Sequence, residues 1–475
     1  MPPTLPPDIF AIIFGRLEAR DVLNVRLACK GFHQLSKLRT IWDSLLQRDV
    51  VQLDIPIPGL HGRALDSLSA EELEHAFHTA LKLRRNWVAD SPVIRRAVLV
   101  IGVPNSRIIA LSLLPDESSR RLVSLSSLYG QQGVVVICCW DISSPNPICI
   151  ARREVRQFGR MAVNWVASCH GKIAVVVGSK LEILSLASGT SSPSQAFVTS
   201  ASIEVDHDIQ GVDGFHGSLV LTRDRLRLYL WDINNPAAKI ILTNDATQPS
   251  QFLDCVLAEQ FILVLKAGAM ELYALPPSIP AGPAPLELGP VVTHSWQWRV
   301  DDAAMSVRHG PRTHNGVTIL LRYGTLFPWA VNVLHQYELR PNLFYDPFSP
   351  LTEMNLPYDF PPGLNDTIGS PVRLHATSDL AVGPYGTAIW IDSHTEDYFN
   401  HADQGQRLAG KLATVNYESS EDEEEPGLAQ FTTSMATSVY AYQEEDNWVA
   451  VELDEVEGKI ILGHDDGFIT IQEYV

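Results

Sequence analysis

Few residues in this 475-residue chain are spaced as a reaction or a bound ion would need. Gly405-Gln406-Arg407-Leu408-Ala409-Gly410-Lys411 has the glycine and lysine spacing of a phosphate-cradling loop, where backbone N–H groups and a lysine hold the anion. Leu412 stands where that loop needs a hydroxyl for magnesium, and no strand-loop-helix succession surrounds it, so the match reads as chance. His75 and His78 are three positions apart on a helical stretch and could share a metal, yet no third ligand lies nearby, and they read as surface residues. Cys29, Cys138, Cys139, Cys149, Cys169 and Cys255 include no pair of Cys-x-x-Cys arms, so neither a zinc module nor a disulfide framework is indicated. They read as thiols of a reducing compartment, the cytoplasm, the nucleus or both. No zinc-protease helix, nucleophile elbow or dinucleotide fingerprint occurs. The expectation is a non-catalytic protein without a cofactor, acting by recognition.

Charge separates partners. The chain carries −19 at pH 7, which argues against a nucleic-acid binder relying on Lys and Arg to neutralise phosphates. That charge is uneven: residues 1–90 hold 11 basic and 11 acidic residues, whereas 393–457 hold 2 basic and 16 acidic. The centre of the acidic window, Glu418 to Pro426, reads as a solvated insertion, with Ser419 and Ser420 each three positions before an acidic residue, as acidophilic kinases favour. Arg152, Arg153, Arg156 and Arg160 could read an acidic or phosphorylated peptide, or could simply block pairing at an outer strand. Arg223, Arg225 and Arg227 alternate with other residues, as on the solvent side of a strand. The longest apolar runs, such as 133–140, have strand length, so neither a membrane span nor a secretory signal is expected.

The elements that must position any binding surface differ between the two ends. Near the start, Pro6 and Pro7 open a helix, in which Ile9, Ile13 and Leu17 form one line and Phe10 and Phe14 a second. A second helical stretch carries Val22, Leu23, Val25 and Leu27, and a third runs from Cys29 through Phe32, Leu35 and Leu38 towards Ile41 and Trp42. So short a bundle cannot bury two apolar lines on one helix, and the surplus face implies a partner. The run Leu5-Pro6-Pro7-Asp8-Ile9, Ile13, Leu17, Asp21-Val22-Leu23, Leu27-Ala28-Cys29-Lys30, Phe32, Leu35 and Trp42 resembles an F-box, with Phe32 where members of that family often have Trp. The resemblance implies docking onto a Skp-family adaptor, and through it onto a cullin scaffold with a RING subunit. It carries adaptor contact to Leu5, Pro6, Ile9, Ile13, Leu23, Leu27, Cys29 and Lys30. Phe10 and Phe14 join that set only from the surplus-face argument.

Residues 1–48 are thus assigned to the F-box and 49–92 to a connector. Within the connector, Ser69-Ala70-Glu71-Glu72 forms a capping box, and Leu73, Ala76, Phe77, Ala80, Leu81 and Trp87 follow at helical spacing, predicting an amphipathic helix over 70–87. From 93 to 475 the pattern becomes short apolar runs between Gly, Pro, Asn and Asp, an all-β signature. Trp140-Asp141-Ile142 recurs as Trp231-Asp232-Ile233 at a separation of 91 residues, and His170-Gly171 recurs as His216-Gly217 at 46. A period near 45 with Trp-Asp ending a strand resembles WD-type repeats, each supplying a four-stranded propeller blade.

Third strands are expected at 134–140, 181–186, 226–233, 270–275, 330–339, 387–392 and 468–474, giving probably seven blades, although faint repeats between 300 and 400 leave six or eight open. Later spacings widen through Pro-rich stretches at 276–290 and 341–365 and through the insertion at 393–457. The last repeat lacks an outer strand, which 94–101 would supply by joining the two ends of the chain. The fold class is α plus all-β. With the resemblance, the expected function is the substrate-recognition subunit of a cullin-based ubiquitin ligase, taking an unidentified target protein on the propeller. A scaffold that binds the adaptor without delivering a substrate is the alternative.

Overall fold

The computed structural model describes residues 6–475 apart from 61, 116–119, 157, 188–191, 206–208, 226, 244–250, 280–284, 311–315, 324–332, 371–377, 394–404 and 413–436. The acidic centre at Glu418 to Pro426, with Ser419 and Ser420, lies outside the described residues, as does Leu5.

The N-terminal part is a helical unit of α1 (Pro7–Arg16), α2 (Ala19–Arg26), α3 (Lys30–Leu35), α4 (Arg39–Asp49) and α5 (Ala70–Trp87). The third helical stretch is divided into α3 and α4. Ser36 turns back to bond the His33 carbonyl, and its own carbonyl receives the Trp42 indole N–H at 2.9 Å. Trp42 is buried at the centre, edge-on to Phe77 of α5 at 5.7 Å, with Val22, Ile41, Leu45, Leu46 and Leu73 around it. Arg26 of α2 forks onto Glu74 of α5 at 2.8 and 2.9 Å and lies over the Trp42 ring, so one cation ties two helices and covers the core.

α5 begins at its capping box, in which Ser69 accepts from the Glu72 N–H at 3.3 Å and Glu72 accepts from the Ser69 N–H at 2.8 Å. Its first half packs in the helical core through Leu73, Ala76, Phe77 and Ala80. Its last turn belongs to a different core, where Leu83 and Trp87 pack with Tyr440, Leu453, Ile460 and Tyr474. The helix therefore shares its length between two hydrophobic cores, and neither unit can tilt without breaking one of them. Polar contacts fix the joint. Asn86 donates to the carbonyls of Val93 and Tyr474, and the Gly59 N–H meets the Glu457 carboxylate at 3.2 Å. Gly458, at φ +65, sits under Leu83, where a Cβ would come within 2.6 Å of its methyl group.

The rest of the chain is a seven-bladed β-propeller. Blades one to six span 106–156, 158–204, 211–242, 252–295, 300–369 and 380–443, and blade seven spans 448–473. The outer strand of blade seven is Arg96–Ile101, paired antiparallel with Phe468–Glu473, so the ring closes by joining chain ends. The strands ending at Trp140 and Trp231 are third strands of blades one and three, as the repeat predicts. Each Trp-Asp unit serves the same local purpose. The Trp140 and Trp231 indoles donate to the Ser124 and Thr222 hydroxyls on the neighbouring strand, and Asp141 and Asp232 accept the N–H two residues on, shaping the turn.

Three expectations need correction. Ala388–Ser393 is the second strand of blade six, and its third is Gln406–Lys411. The Pro-rich stretch 276–290 is not only loop, since Leu286–Leu288 adds a fifth strand, parallel to Asn235–Leu242, on blade three. The window 393–457 is not one insertion: it contains the last two strands of blade six and the first of blade seven, and Asp454 and Glu455 are buried.

The first strands of successive blades lie side by side around the ring axis. Among the described residues, the first strand is shifted by a bulge in every blade except six. Side chains at or near these strands bond across blade boundaries. Asp254 accepts from Met305 N–H at 2.7 Å, Asp379 from Val451 N–H at 2.7 Å, and Glu452 from Leu113 N–H at 3.1 Å, the last across the closure.

Candidate protein-docking site

α1 is amphipathic in an unusual sense, since both of its sides are apolar and only one is covered. Phe10 and Phe14 turn inward against Phe32, with ring centroids at 5.3 and 5.6 Å, and Phe14 is only 3% exposed. The expectation that Phe14 faces a partner is therefore corrected, and Phe10, half-buried, spends one side of its ring on Phe32: an i, i+4 pair of aromatic rings finds its third ring within the bundle. Leu23 likewise packs against that core.

The uncovered side carries Ile9, Ile12 and Ile13, at i, i+3 and i+4 on one helical face, with Ile12 64% exposed. Ile12 escaped the sequence reading because only i, i+4 lines were followed; the Ile12-Ile13 doublet three residues after Ile9 was the available signal. Leu27, at the C-cap of α2, is 85% exposed. Pro6, Cys29 and Lys30 are also exposed. Cys29 caps α3, its sulfur accepting the Phe32 N–H at 3.4 Å, which fixes the turn that presents Leu27. Ile9, Ile12 and Ile13 thus come together on α1, Leu27, Cys29 and Lys30 stand on the α2–α3 turn, Phe14 leaves the candidate surface for the core, and Phe10 and Leu23 pack against that core half-buried. Arg48 closes the opposite end of α1 by donating to the carbonyls of Gly15 and Leu17, which holds the helix in place.

Several of the remaining candidate residues have structural partners. His75 and His78 line an open cavity of about 380 Å³ with Arg26, Lys37, Ala70, Glu71 and Glu74, and the His78 ring lies 5.5 Å from Trp42. Among the described residues no group of His, Cys, Asp or Glu is arranged to hold a metal ion. Gln406–Lys411 is a strand, and Arg407 forks onto Asp392 at 2.9 and 2.8 Å. Arg153 bonds Glu182 and Thr199 of blade two, linking two blades from the outer strand Ile148–Arg156. Arg160 and Arg223 flank Asp213, which is itself almost fully withdrawn from water. Arg223 ends a strand at Leu219–Arg223 and Arg225 follows in the turn, so the three alternating arginines do not share one strand face.

Antiparallel order puts the connections between first and second strands, and between third and fourth strands, on one face of the ring. The helical unit sits on that face. Gly458 and Glu457 of blade seven meet Leu83 and Gly59, and Gly310 of blade five packs on the Asp54 side chain, at contacts that leave no room for a Cβ on either glycine.

An F-box-like family model matches residues 3–48. Residues 3–48, which hold α1 to α3 and nearly all of α4, are thus an F-box-like domain, and α5 joins it to a seven-bladed propeller. F-box domains generally bind Skp-type adaptors, and a propeller of this kind suggests a protein partner. No curated protein matches the chain. Among solved structures it is similar to a chain of the humanized mutant of the Chaetomium thermophilum Polycomb Repressive Complex 2 bound to the inhibitor GSK126, at 12% identity and a TM-score of 0.48, covering 80% of this chain and 97% of that one. The same values hold for the complex bound to the inhibitor GSK343.

Proposed function

We propose that the protein is the substrate-recognition subunit of a cullin-based ubiquitin ligase, with the F-box-like domain on a Skp-type adaptor and the propeller on the target protein. One observation carries this reading: Ile9, Ile12, Ile13 and Leu27 remain exposed on a domain whose own core is complete. An apolar surface of that kind on a folded domain is the mark of an interaction site. α5 supports the second half, because a helix buried in two cores holds the propeller at a set distance and angle from whatever the F-box binds. The subunit does no chemistry itself. It raises the effective concentration of a target lysine near a charged conjugating enzyme, in a reducing compartment such as the cytoplasm or nucleus.

The test is co-purification with the adaptor. Ile9→Asp with Leu27→Asp is expected to abolish it while the circular dichroism of the full chain is unchanged; retained adaptor binding by a folded double variant removes the reading. Reconstitution with adaptor, cullin, RING subunit and conjugating enzyme then separates a receptor from a scaffold: proteins bound to the propeller gain ubiquitin only if it is a receptor.

A further inference from the structure

The connection between the third and fourth strands of blade five, residues 340–362, is built to display side chains. Asn355 is its bracket. Its amide group donates to the carbonyls of Asp346, Ser349 and Pro350 at 3.0, 3.3 and 3.1 Å, and its oxygen accepts the Asp346 N–H at 2.9 Å. Asn342 adds a second closure, accepting from Phe344 N–H and donating to the Leu356 carbonyl, both at 2.9 Å. Leu351, Leu356, Tyr358 and Phe360 anchor the segment in the blade core, and the Tyr345 hydroxyl bonds Gln260 of blade four at 2.9 Å.

With those groups turned inward, Leu343, Phe344, Phe348 and Met354 stand between 93% and 97% exposed. Each aromatic side chain of this kind offers about 150–250 Å² of surface, and four exposed large apolar side chains on one loop are the kind of surface that marks an interaction site. The connection also contains Asp346, Glu353 and Asp359, against a single cation at its base, Arg340, which pairs with Glu338. Hydrogen bonds from Ser349 and the Phe348 N–H hold the Asp346 carboxyl below its ordinary range. Acidic groups beside the apolar anchors, on a chain of −19, oppose both self-association and insertion into an anionic membrane.

We propose that residues 341–362 form a docking knob that inserts Leu343, Phe344, Phe348 and Met354 into an apolar groove on a different protein, one whose rim carries Lys or Arg to meet Asp346, Glu353 and Asp359. The knob emerges on the ring face that also holds the helical unit, so its partner is held on the F-box side of the propeller. The inference stands apart from the adaptor reading, since its residues are on another element and its test does not use the adaptor.

The experiment places the photo-reactive residue p-benzoylphenylalanine at Phe348, and separately at Met354, in the full-length chain, which is then irradiated in its own cells. The expected result is an adduct with a second, different protein from both positions. Its yield falls at least tenfold on adding Leu343→Ser with Phe344→Ser, falls several-fold on adding Glu353→Lys, and declines as salt rises in the lysed complex. The cross-linked peptide of the partner maps to an apolar groove flanked by Lys or Arg. Absence of any adduct from two folded variants overturns the proposal. So does an adduct only with a second copy of this chain, only with lipid, or one indifferent to Leu343, Phe344 and Glu353.

Discussion

Two surfaces of this protein expose large apolar side chains, and they are made in opposite ways. On α1, Ile9, Ile12 and Ile13 face outward because helical periodicity puts them there once Phe10 and Phe14 are committed to the core. On blade five, Leu343, Phe344, Phe348 and Met354 follow no period. They face outward because Asn355, Asn342 and Asp346 spend the backbone's hydrogen-bonding groups locally, leaving the side chains no interior to enter. A helical surface is backed by every turn of its helix, whereas a loop surface depends on its bracket. The first should tolerate single polar losses and fail by contact; the second should fail by loosening.

The largest effects are expected on α1, where neighbouring residues should give opposite outcomes. Ile12→Asp should lower adaptor affinity at least a hundredfold with an unchanged thermal midpoint. Phe14→Ala, two residues along and so on the inner side, should cost about 3–5 kcal/mol in chemical denaturation of the helical unit. If both variants lost stability alike, the division of α1 into an outer and an inner face would be wrong.

A smaller effect is expected at the bracket. Asn355→Ala removes donors and an acceptor at once, and backbone amides of residues 343–354 should exchange with solvent at least tenfold faster while the ring's melting temperature moves by no more than about 2 °C. Unchanged exchange would mean that Asn355 is no bracket and that Asn342, Tyr345 and the anchors Leu351, Leu356, Tyr358 and Phe360 hold the loop without it.

The smallest effect is expected inside the ring, at the boundary between blades six and seven. Glu455 is buried beside Gly383 and accepts the N–H groups of Tyr385 and Thr387; burial pushes its carboxyl up to about 7 against those donors and Arg308. A folded-state value above the unfolded one means that its stabilising contribution is complete below about pH 4.5 and is lost as pH rises through about 7. The thermal midpoint should therefore drift down between about pH 4.5 and 7, a drift to which the buried carboxyls of Asp254, Asp379 and Glu452, also raised by burial, contribute, and Glu455→Gln should lessen it. A steeper drift in the variant would reverse the assignment.

Much of the architecture could be read from residue order because it rests on local regularities. The Trp-Asp units gave a period, since each indole needs a hydroxyl on the adjacent strand and each Asp a turn to cap. Away from those units the placement slipped by one strand: 387–392 falls on the second strand of blade six, where the Trp390 indole bonds Asp392, and the third strand is Gln406–Lys411. The docking face was half legible. A helix with two apolar lines must leave one uncovered, yet only Phe32, arriving from α3, decides which.

Residue order alone determined what depends on neighbours within a few positions: the capped connector helix, the strand periods, the F-box resemblance of the first residues and the uneven charge. Tertiary structure decided what depends on contacts between distant segments. It turned the phenylalanines inward, split the acidic window so that Glu455 became a buried acceptor instead of a solvated charge, and left Leu343, Phe344, Phe348 and Met354 outside. The reason is that hydrophobicity states a preference for burial, but only the packed ring and bundle define how much interior there is and which side chains reach it.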